Sequence, residues 1–180
     1  MLAWLNILAA ANKASPNKLI GINDLLLKHY KVYGRSFFSR YDYEEVESAA
    51  AQKLVDELEE AIATNSLIGT EHKSESTGAS FKIKKTYNFD YTDPIDKSVS
   101  KNQGQVVTFE DGSRVVWRLS GTGSQGATVR MYIERYLEAT ANDKELMRDA
   151  QDGLKGLIEV ALKLSRLPEF LGRDKPTVIT

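Results

Sequence analysis

Three short segments in the middle of the chain alternate apolar and polar residues, which is the periodicity of half-buried β-strands. They span residues 81–89, Gln105–Phe109 and Arg114–Leu119. The last two flank Asp111-Gly112, a dipeptide that favours a tight hairpin turn. Because strands joined by short turns pair antiparallel, these segments predict an antiparallel meander.

Helical periodicity lies on both sides of the strands. Asp42 and Glu45 have the spacing of a capping box, and the apolar residues after them predict a helix of about 20 residues. Its apolar stripe is formed by Val46, Ala50, Leu54, Leu58 and Ile62. A helix after the strands is predicted from the spacing of Val129, Ile133, Tyr136 and Leu137. A second capping box, Asn142 with Glu145, begins a last helix that Pro168 ends. This order predicts an α+β fold with an antiparallel β-meander packed against helices.

The segments between these elements carry weaker signals. Thr64–Ala79 is rich in Ser, Thr and Gly and predicts a long loop, part of which we expect to be disordered. Asp90–Asp96 has three Asp, but its spacing is wrong for an EF-hand, so a turn-forming loop is the better interpretation. His72 has no second His or carboxylate pair at ligand spacing, and a metal role is not favoured. Gly172–Thr180 is expected to be a tail.

The first 34 residues predict two helices. Met1–Ala11 is almost wholly apolar, is not preceded by basic residues as a signal peptide would be, and is about half the length of a membrane-spanning helix. A helix through Ile22 and Tyr30 then ends at Gly34. We expect residues 1–34 to be the last helices of a truncated preceding domain, 35–41 a connector or hinge, and 42–180 a C-terminal domain. The alternative is an N-terminal helix docked on its own core.

Charge and cysteine content exclude several classes of function. The chain has 24 Lys and Arg against 25 Asp and Glu, a formal net charge of −1. This balance argues against nucleic acid or an anionic membrane as a partner. The absence of Cys excludes disulfides, thiolate catalysis and Cys-ligated metals, and fits a cytoplasmic protein.

A glycine-rich segment, Arg118–Arg130, is the strongest candidate for a binding site. It joins the last predicted strand to a predicted helix through Gly121, Gly123 and Gly126. Glycines expose main-chain amides, a helix N-terminus attracts anions, and flanking arginines can each donate two hydrogen bonds to phosphate. Hydroxyl donors are supplied by Ser120, Thr122 and Ser124.

Two well-known nucleotide-binding motifs do not match this segment. A Walker loop would end in Gly-Lys-Ser/Thr, and a Rossmann fingerprint has a different spacing within a βαβ unit. The alternative to phosphate binding is a glycine-rich turn whose hydroxyls only cap the following helix.

The segment closely resembles the phosphate-binding loop in the C-terminal domain of the α-D-phosphohexomutases. Its Gly-Thr-Gly-Ser form at 121–124 is most similar to the phosphoglucomutase branch of that family. Further similar stretches are Leu2–Leu8, Tyr33–Val46, Asp93–Asp96, Asn102–Gly104, Asp111–Arg114 and Pro176–Thr180. The resemblance extends over nearly the whole chain except Thr64–Ala79.

The resemblance implies a four-domain enzyme of which this chain holds the end of the third domain and the whole fourth, TATA-box-binding-protein-like domain. It implies that the substrate's non-transferred phosphate is bound by Arg118, Ser120, Gly121, Thr122, Gly123, Ser124 and Arg130. It also implies that Arg40 is an arginine of the interdomain cleft. It implies no catalytic residue and no metal ligand in this chain. Gln125, where related sequences often have a small residue, and Lys101, where Arg is familiar, depart from the pattern.

The function implied by the resemblance is the interconversion of glucose 1-phosphate and glucose 6-phosphate through an enzyme phosphoserine. Glucose 1,6-bisphosphate is the implied intermediate, and Mg²⁺ the implied cofactor, bound by a domain absent from this chain. The implied partners are a phosphosugar substrate and the upstream domains of the same polypeptide. The chain alone is expected to be inactive. A non-catalytic relative that uses the scaffold for protein interaction is the alternative, and the intact set of phosphate donors favours the enzyme.

Overall fold

The chain divides into two units, residues 1–36 with 136–149 and residues 37–135 with 150–180. The computed structural model describes residues 1–15, 17–123 and 126–180, and only the main chain of Thr122 and Gly123. In chain order the elements are α1 (Leu2–Lys13), α2 (Ile22–Tyr33), β1 (Arg35–Val46), α3 (Ser48–Ala63), β2 (Glu71–Lys73), β3 (Ser80–Asn88), β4 (Tyr91–Thr92), β5 (Val99–Ser100), β6 (Gln105–Phe109), β7 (Arg114–Gly123), β8 (Gly126–Leu137), α4 (Asp143–Leu146), α5 (Ala150–Ser165), α6 (Leu167–Leu171) and β9 (Val178–Ile179).

The smaller unit contains α1, α2 and α4. Gly34 ends α2 with φ of 73°, a conformation that favours glycine, as the sequence predicts. Asn142 caps α4 as predicted, since the amide of Glu145 donates to Oδ1 of Asn142 at 3.0 Å. The reciprocal bond of a capping box is replaced by one from Nδ2 of Asn142 to the carboxylate of Glu145 at 3.0 Å. Arg35 donates from Nη1 to the carbonyl oxygen of Leu146 at 2.6 Å.

The larger unit is built on a mixed α+β plan with a sheet in the order β2-β3-β6-β7-β8-β1-β9. The predicted meander is confirmed, because β3, β6, β7 and β8 pair antiparallel in sequence order. β4 and β5 form a separate small hairpin.

One face of the sheet packs against helices. Alternate residues of each strand are buried on this face, including Phe37, Tyr41 and Tyr43 of β1, Val115 and Trp117 of β7, and Ala127, Val129, Met131 and Ile133 of β8. The facing helices bury Ala51, Leu54, Val55 and Leu58 of α3 and Leu154, Leu157, Val160 and Ala161 of α5. The hydroxyl of Tyr41 donates to Gln151 of α5 at 2.6 Å. The other face of the sheet, called the open face below, carries the alternate residues.

The predicted helix start at Asp42 is wrong, because that residue lies inside β1. Residues 37, 41 and 43 are buried aromatics at alternate positions, a pattern that a strand satisfies and a helix does not. The helix begins at Ser48, and its cap is Glu47, whose carboxylate accepts from the amide of Ala50 at 3.2 Å. Residues 35–41 form the first half of β1, and the domain boundaries stay a prediction.

The predicted helix through Val129 and Leu137 is also wrong, since these residues belong to β8. The spacing of four apolar residues suggested helical periodicity, but the shorter period of two places every odd residue from 127 to 133 in the core. Pairing with β7 satisfies the main-chain groups that a helix would have satisfied internally.

Thr64–Ala79 is more ordered than a long loop. It contains β2, which pairs with β3, and a turn at residues 74–77. Glu159 of α5 accepts hydrogen bonds at this turn from the amide of Glu75 at 2.8 Å and from the hydroxyls of Ser74 at 2.8 Å and Ser76 at 2.7 Å. The sequence of the loop does not reveal this contact because its partner lies more than 80 residues away.

The C-terminal region differs from expectation in two places. The last predicted helix is divided into α4 and α5, and Pro168 lies in the first turn of α6 instead of ending a helix. The expected tail contains β9, which pairs with β1 through Asp42 opposite Val178 and Tyr41 opposite Ile179.

We expect Glu159→Gln to loosen residues 74–77. Donors from Ser76, Glu75 and Ser74 hold the pKa of the Glu159 carboxyl well below its usual range. The stabilisation is therefore complete above the unfolded-state pKa of about 4.3 and is lost as the pH falls through the folded-state value. Thermal unfolding at neutral pH and amide exchange at Ser76 measure the effect. Glu110→Gln, which breaks an exposed pair with Lys82, is the matched control, and equal effects of both changes would contradict the prediction.

Candidate functional site

The described residues of the glycine-rich segment lie at the end of β7 and the start of β8, which pair antiparallel. Arg118 lies directly opposite Arg130, Ser120 opposite Thr128, and Gly123 opposite Gly126. The register shifts between Ser120 and Thr122, around Gly121 with φ of 68°. The predicted turn into a helix is therefore wrong, because the chain turns back into a strand, and no helix dipole contributes to this site.

Strand alternation places both arginines on the open face. Trp117 and Val129, their neighbours in the chain, are buried against the helices. Arg118 and Arg130 consequently point to the same side of the sheet from directly opposed positions. Like charges at such positions repel, and an anion bound between them would remove that repulsion.

The two arginines have different partners. Arg118 is exposed, and its Nη2 donates to Oε1 of Gln103, a neutral group, at 3.0 Å. Arg130 faces a carboxylate, with its Nε 3.8 Å from Oδ2 of Asp42. Oδ1 of the same carboxylate accepts from Nε of Arg40 at 2.8 Å. Asp42 therefore lies between Arg40 and Arg130.

The carboxylate of Asp42 is buried, with 5% of its side chain exposed, against 38% for Arg40 and 35% for Arg130. A buried charge is tolerated only when it is paired, and the two arginines provide the pairing. On the opposite face of β1, Tyr41 and Tyr43 are buried. Burial, with smaller effects of Tyr41 and Asp174, raises the pKa of Tyr43 to about 12.

The remaining predicted site residues that the structure describes lie near the end of β7. Ser120 is half-buried and Gly121 is exposed. Thr122 and Gly123 are described by their main chain, which belongs to β7. Ser124 lies outside the described residues, as does Gln125. The fold thus brings Arg118, Ser120, Gly121 and Arg130 together, with Arg40 joined to them through Asp42.

Arg40 also lines a cavity of about 660 Å³ on the open face. The cavity walls include the aromatic and aliphatic side chains of Phe38, Tyr87, Phe89, Val106, Val116 and Tyr132. Arg114 and Glu134 lie at the same cavity and form an ion pair, with Nη2 2.7 Å from Oε2. The open face therefore offers a cationic end at the hairpin and a largely apolar hollow beside Arg40.

Sequence reasoning missed the part played by Asp42 and Gln103. Asp42 was interpreted as a helix cap because Glu45 follows it at capping-box spacing. The alternation of Arg40 and Asp42 with buried aromatics was the signal that places both on one face of a strand. Gln103 carries no local signal, because its partner Arg118 is 15 residues away.

Neither a metal centre nor a membrane span is found in the described part of the chain. Among residues 1–15, 17–123 and 126–180, no three or more His, Asp or Glu are grouped so that they could hold a metal ion. No described helix is both long and apolar enough to cross a bilayer.

The fold and the site together define a class of protein: an α+β domain that presents opposed arginines on a glycine-rich hairpin. The chain belongs to the family described as "Phosphoglucomutase-1, C-terminal domain", whose model matches residues 35–177.

Individual relatives agree with this assignment. The chain is 45% identical to Phosphoglucomutase 1 of Drosophila melanogaster over 180 residues and 46% identical to Phosphoglucomutase-1 of Bos taurus over 181 residues. Each match covers 100% of this chain and 30% of the relative, so the chain spans less than a third of these proteins. The open-form crystal structure of the exocytosis-sensitive phosphoprotein pp63/parafusin, a phosphoglucomutase from Paramecium, matches with a TM-score of 0.75 and 37% identity, covering 99% of this chain and 28% of that one.

We expect Gly126→Ala to disturb the hairpin more than Gly121→Ala. Both glycines have positive φ, so either change strains the main chain. A Cβ at residue 126 would also lie 3.0 Å from the carbonyl oxygen of Val46, whereas a Cβ at residue 121 meets nothing within 4 Å. We expect a loss of about 1 kcal/mol for Gly121→Ala and about 2–3 kcal/mol for Gly126→Ala in urea unfolding. Equal losses would show that the contact with Val46 does not constrain the tip.

Proposed function

We propose that this chain is the substrate-phosphate-holding part of a phosphoglucomutase that interconverts glucose 1-phosphate and glucose 6-phosphate. The observation that carries the proposal is the placement of Arg118 and Arg130 opposite each other beside a glycine-rich turn. Membership of the phosphoglucomutase-1 C-terminal domain family supports the assignment of the reaction.

The chemistry of the site suits a phosphate dianion. Each guanidinium can donate two parallel hydrogen bonds to phosphate oxygens. Gly121 has no side chain to prevent an anion from approaching the main chain of the tip, and the hydroxyl of Ser120 is half-exposed. These groups recognise charge and oxygen geometry, and they supply no nucleophile. We propose that Thr122, Gly123 and Ser124 complete the set.

The proposed contribution to the reaction is positioning. An enzyme phosphoserine transfers its phosphoryl group to the sugar, giving glucose 1,6-bisphosphate, which turns around before the other phosphate returns to the serine. In either orientation the phosphate that is not being transferred is held by the hairpin, so that the reacting oxygen stays aligned. The cavity beside Arg40 provides room for the body of the ligand on the same face.

The rest of the machinery is proposed to lie in upstream domains of the same polypeptide. Mg²⁺ would supply charge neutralisation during phosphoryl transfer. We propose that its ligands lie in those upstream domains, since the described part of this chain has no group of three or more His, Asp or Glu that could hold a metal ion. Residues 1–34 are proposed to belong to the preceding domain, and 35–41 to the hinge between the two.

We expect the chain alone to have no mutase activity and yet to bind glucose 6-phosphate weakly. A coupled assay measures turnover, and an NMR titration measures binding through the amide of Gly121. Turnover that survives removal of contaminating enzyme would contradict the positioning role. Amide shifts that avoid residues 118–123 would place the phosphate elsewhere and would favour the non-catalytic alternative.

We expect Arg118→Ala and Arg130→Ala each to weaken glucose 6-phosphate binding by roughly 10- to 100-fold, because each removes a charge-assisted contact. Arg135→Ala is the matched control, since it removes the same charge from the same strand, where Arg135 faces Asp111 at 3.8 Å. An equal loss for Arg135→Ala would mean that general charge, and not the opposed pair, attracts the ligand.

A further inference from the structure

The buried carboxylate of Asp42 has a geometry that neither the core nor phosphate contact requires. It points to the open face of β1, yet its side chain is only 5% exposed. Its main chain is fixed on one side by β9, where the carbonyl oxygen of Asp42 accepts from the amide of Thr177 at 2.8 Å. β8, which carries Arg130, is the neighbouring strand on the other side. The carboxylate is therefore held rigidly at the base of both guanidinium groups.

Each arginine contacts Asp42 through its inner nitrogen. Nε of Arg40 donates to Oδ1 at 2.8 Å, and Nε of Arg130 lies 3.8 Å from Oδ2. Among the described residues, neither arginine makes a side-chain hydrogen bond from Nη1 or Nη2. Both terminal nitrogens of each guanidinium therefore remain available to a ligand while the inner edge faces a fixed counter-charge.

Arg130 needs such a constraint more than Arg118 does. Its Nε is buried and has no hydrogen-bond partner within the described residues, because 3.8 Å is too long for a hydrogen bond. It also faces Arg118 across the strand pair, and repulsion would turn an unrestrained side chain away from the hairpin. A flexible arginine loses rotamer freedom when it binds, and holding it beforehand reduces that loss.

We propose that Asp42 is a positioning residue that aims Arg130, together with Arg40, at the phosphate held by the hairpin. The inference rests on the proposed phosphate-holding function. When phosphate engages Nη1 and Nη2 of Arg130, Nε closes onto Oδ2 of Asp42, and the 3.8 Å contact shortens to a hydrogen bond. Asp42 does not touch the ligand, and acts through the arginines.

Asp42→Asn tests this role because the variant keeps the shape of the side chain and removes its charge. Loss of a counter-charge alone would tighten anion binding, whereas loss of orientation weakens it, so the two roles predict opposite signs. We expect the loss of orientation to dominate, so that inorganic phosphate binds about tenfold more weakly, the size of effect seen when partners that orient metal ligands are removed.

The signal of the Arg130 Nε–H group provides a readout that a purely structural role would not move. Its NMR resonance is assigned by its disappearance in Arg130→Lys. In the unchanged chain, phosphate should shift this resonance downfield and slow its exchange with water, as the bond to Asp42 forms. In Asp42→Asn the phosphate-dependent shift should be lost. This measurement on the unchanged chain decides the matter even if Asp42→Asn does not fold, since an Nε–H resonance that phosphate leaves unmoved overturns the proposal.

Two further variants distinguish failure of this inference from failure of the proposed function. Glu110→Gln is the matched control, because it removes the carboxylate partner of Lys82 at a place outside the proposed site, and it should change phosphate affinity less than twofold. If Arg130→Ala leaves phosphate binding unchanged, the proposed phosphate site itself fails. If Arg130→Ala weakens binding but Asp42→Asn leaves it unchanged or tighter, or weakens it no more than Glu110→Gln, the site stands and Asp42 is not a positioning residue.

Discussion

The alternation of β8 is the constraint on which both the core and the candidate site depend. β8 lies between β7 and β1, and its odd residues from 127 to 133 are buried against the helices. Since successive side chains of a strand point to opposite faces, this burial leaves Arg130 no choice but the open face. A slip of one residue would bury Arg130 and expose Met131, so the hydrophobic energy of the core holds the site in register.

The open face brings together three arginines and a buried aspartate, an arrangement that is unusual for a protein surface. Arg118 and Arg130 oppose each other across the strand pair, and Arg40 shares the buried carboxylate of Asp42 with Arg130. Like charges at opposed positions repel, and within the described residues the Nε of Arg130 has no hydrogen-bond partner. Binding sites commonly keep such strain because the ligand relieves it.

The relation between sheet and helices explains why the hairpin can serve a ligand without help from a helix dipole. The β7–β8 hairpin is supported by a sheet whose helix-facing side is fully covered, with Trp117 and Val129 both 0% exposed beneath the arginines. The arginines therefore stand on a rigid surface, and the glycine-rich tip supplies main-chain access. Rigid strands place binding groups more reliably than long loops do.

The sequence alone determined the α+β class, the β3–β6–β7 meander, the turn at Asp111-Gly112 and the family, because each depends on local periodicity or on a contiguous motif. It also predicted a binding site at Arg118, Ser120, Gly121 and Arg130, because a glycine-rich segment between two arginines can be identified from the sequence without a structure. The sequence could not distinguish helix from strand at Val129, because the apolar residues there fit both a helical spacing of four and a strand period of two. Only the tertiary structure decided that β8 follows the turn, that residues 74–77 are held by Glu159, and that Asp42 lies between Arg40 and Arg130. These features arise from contacts between distant residues, and the sheet that brings β1 beside β8 is formed only when the whole larger unit buries its common core.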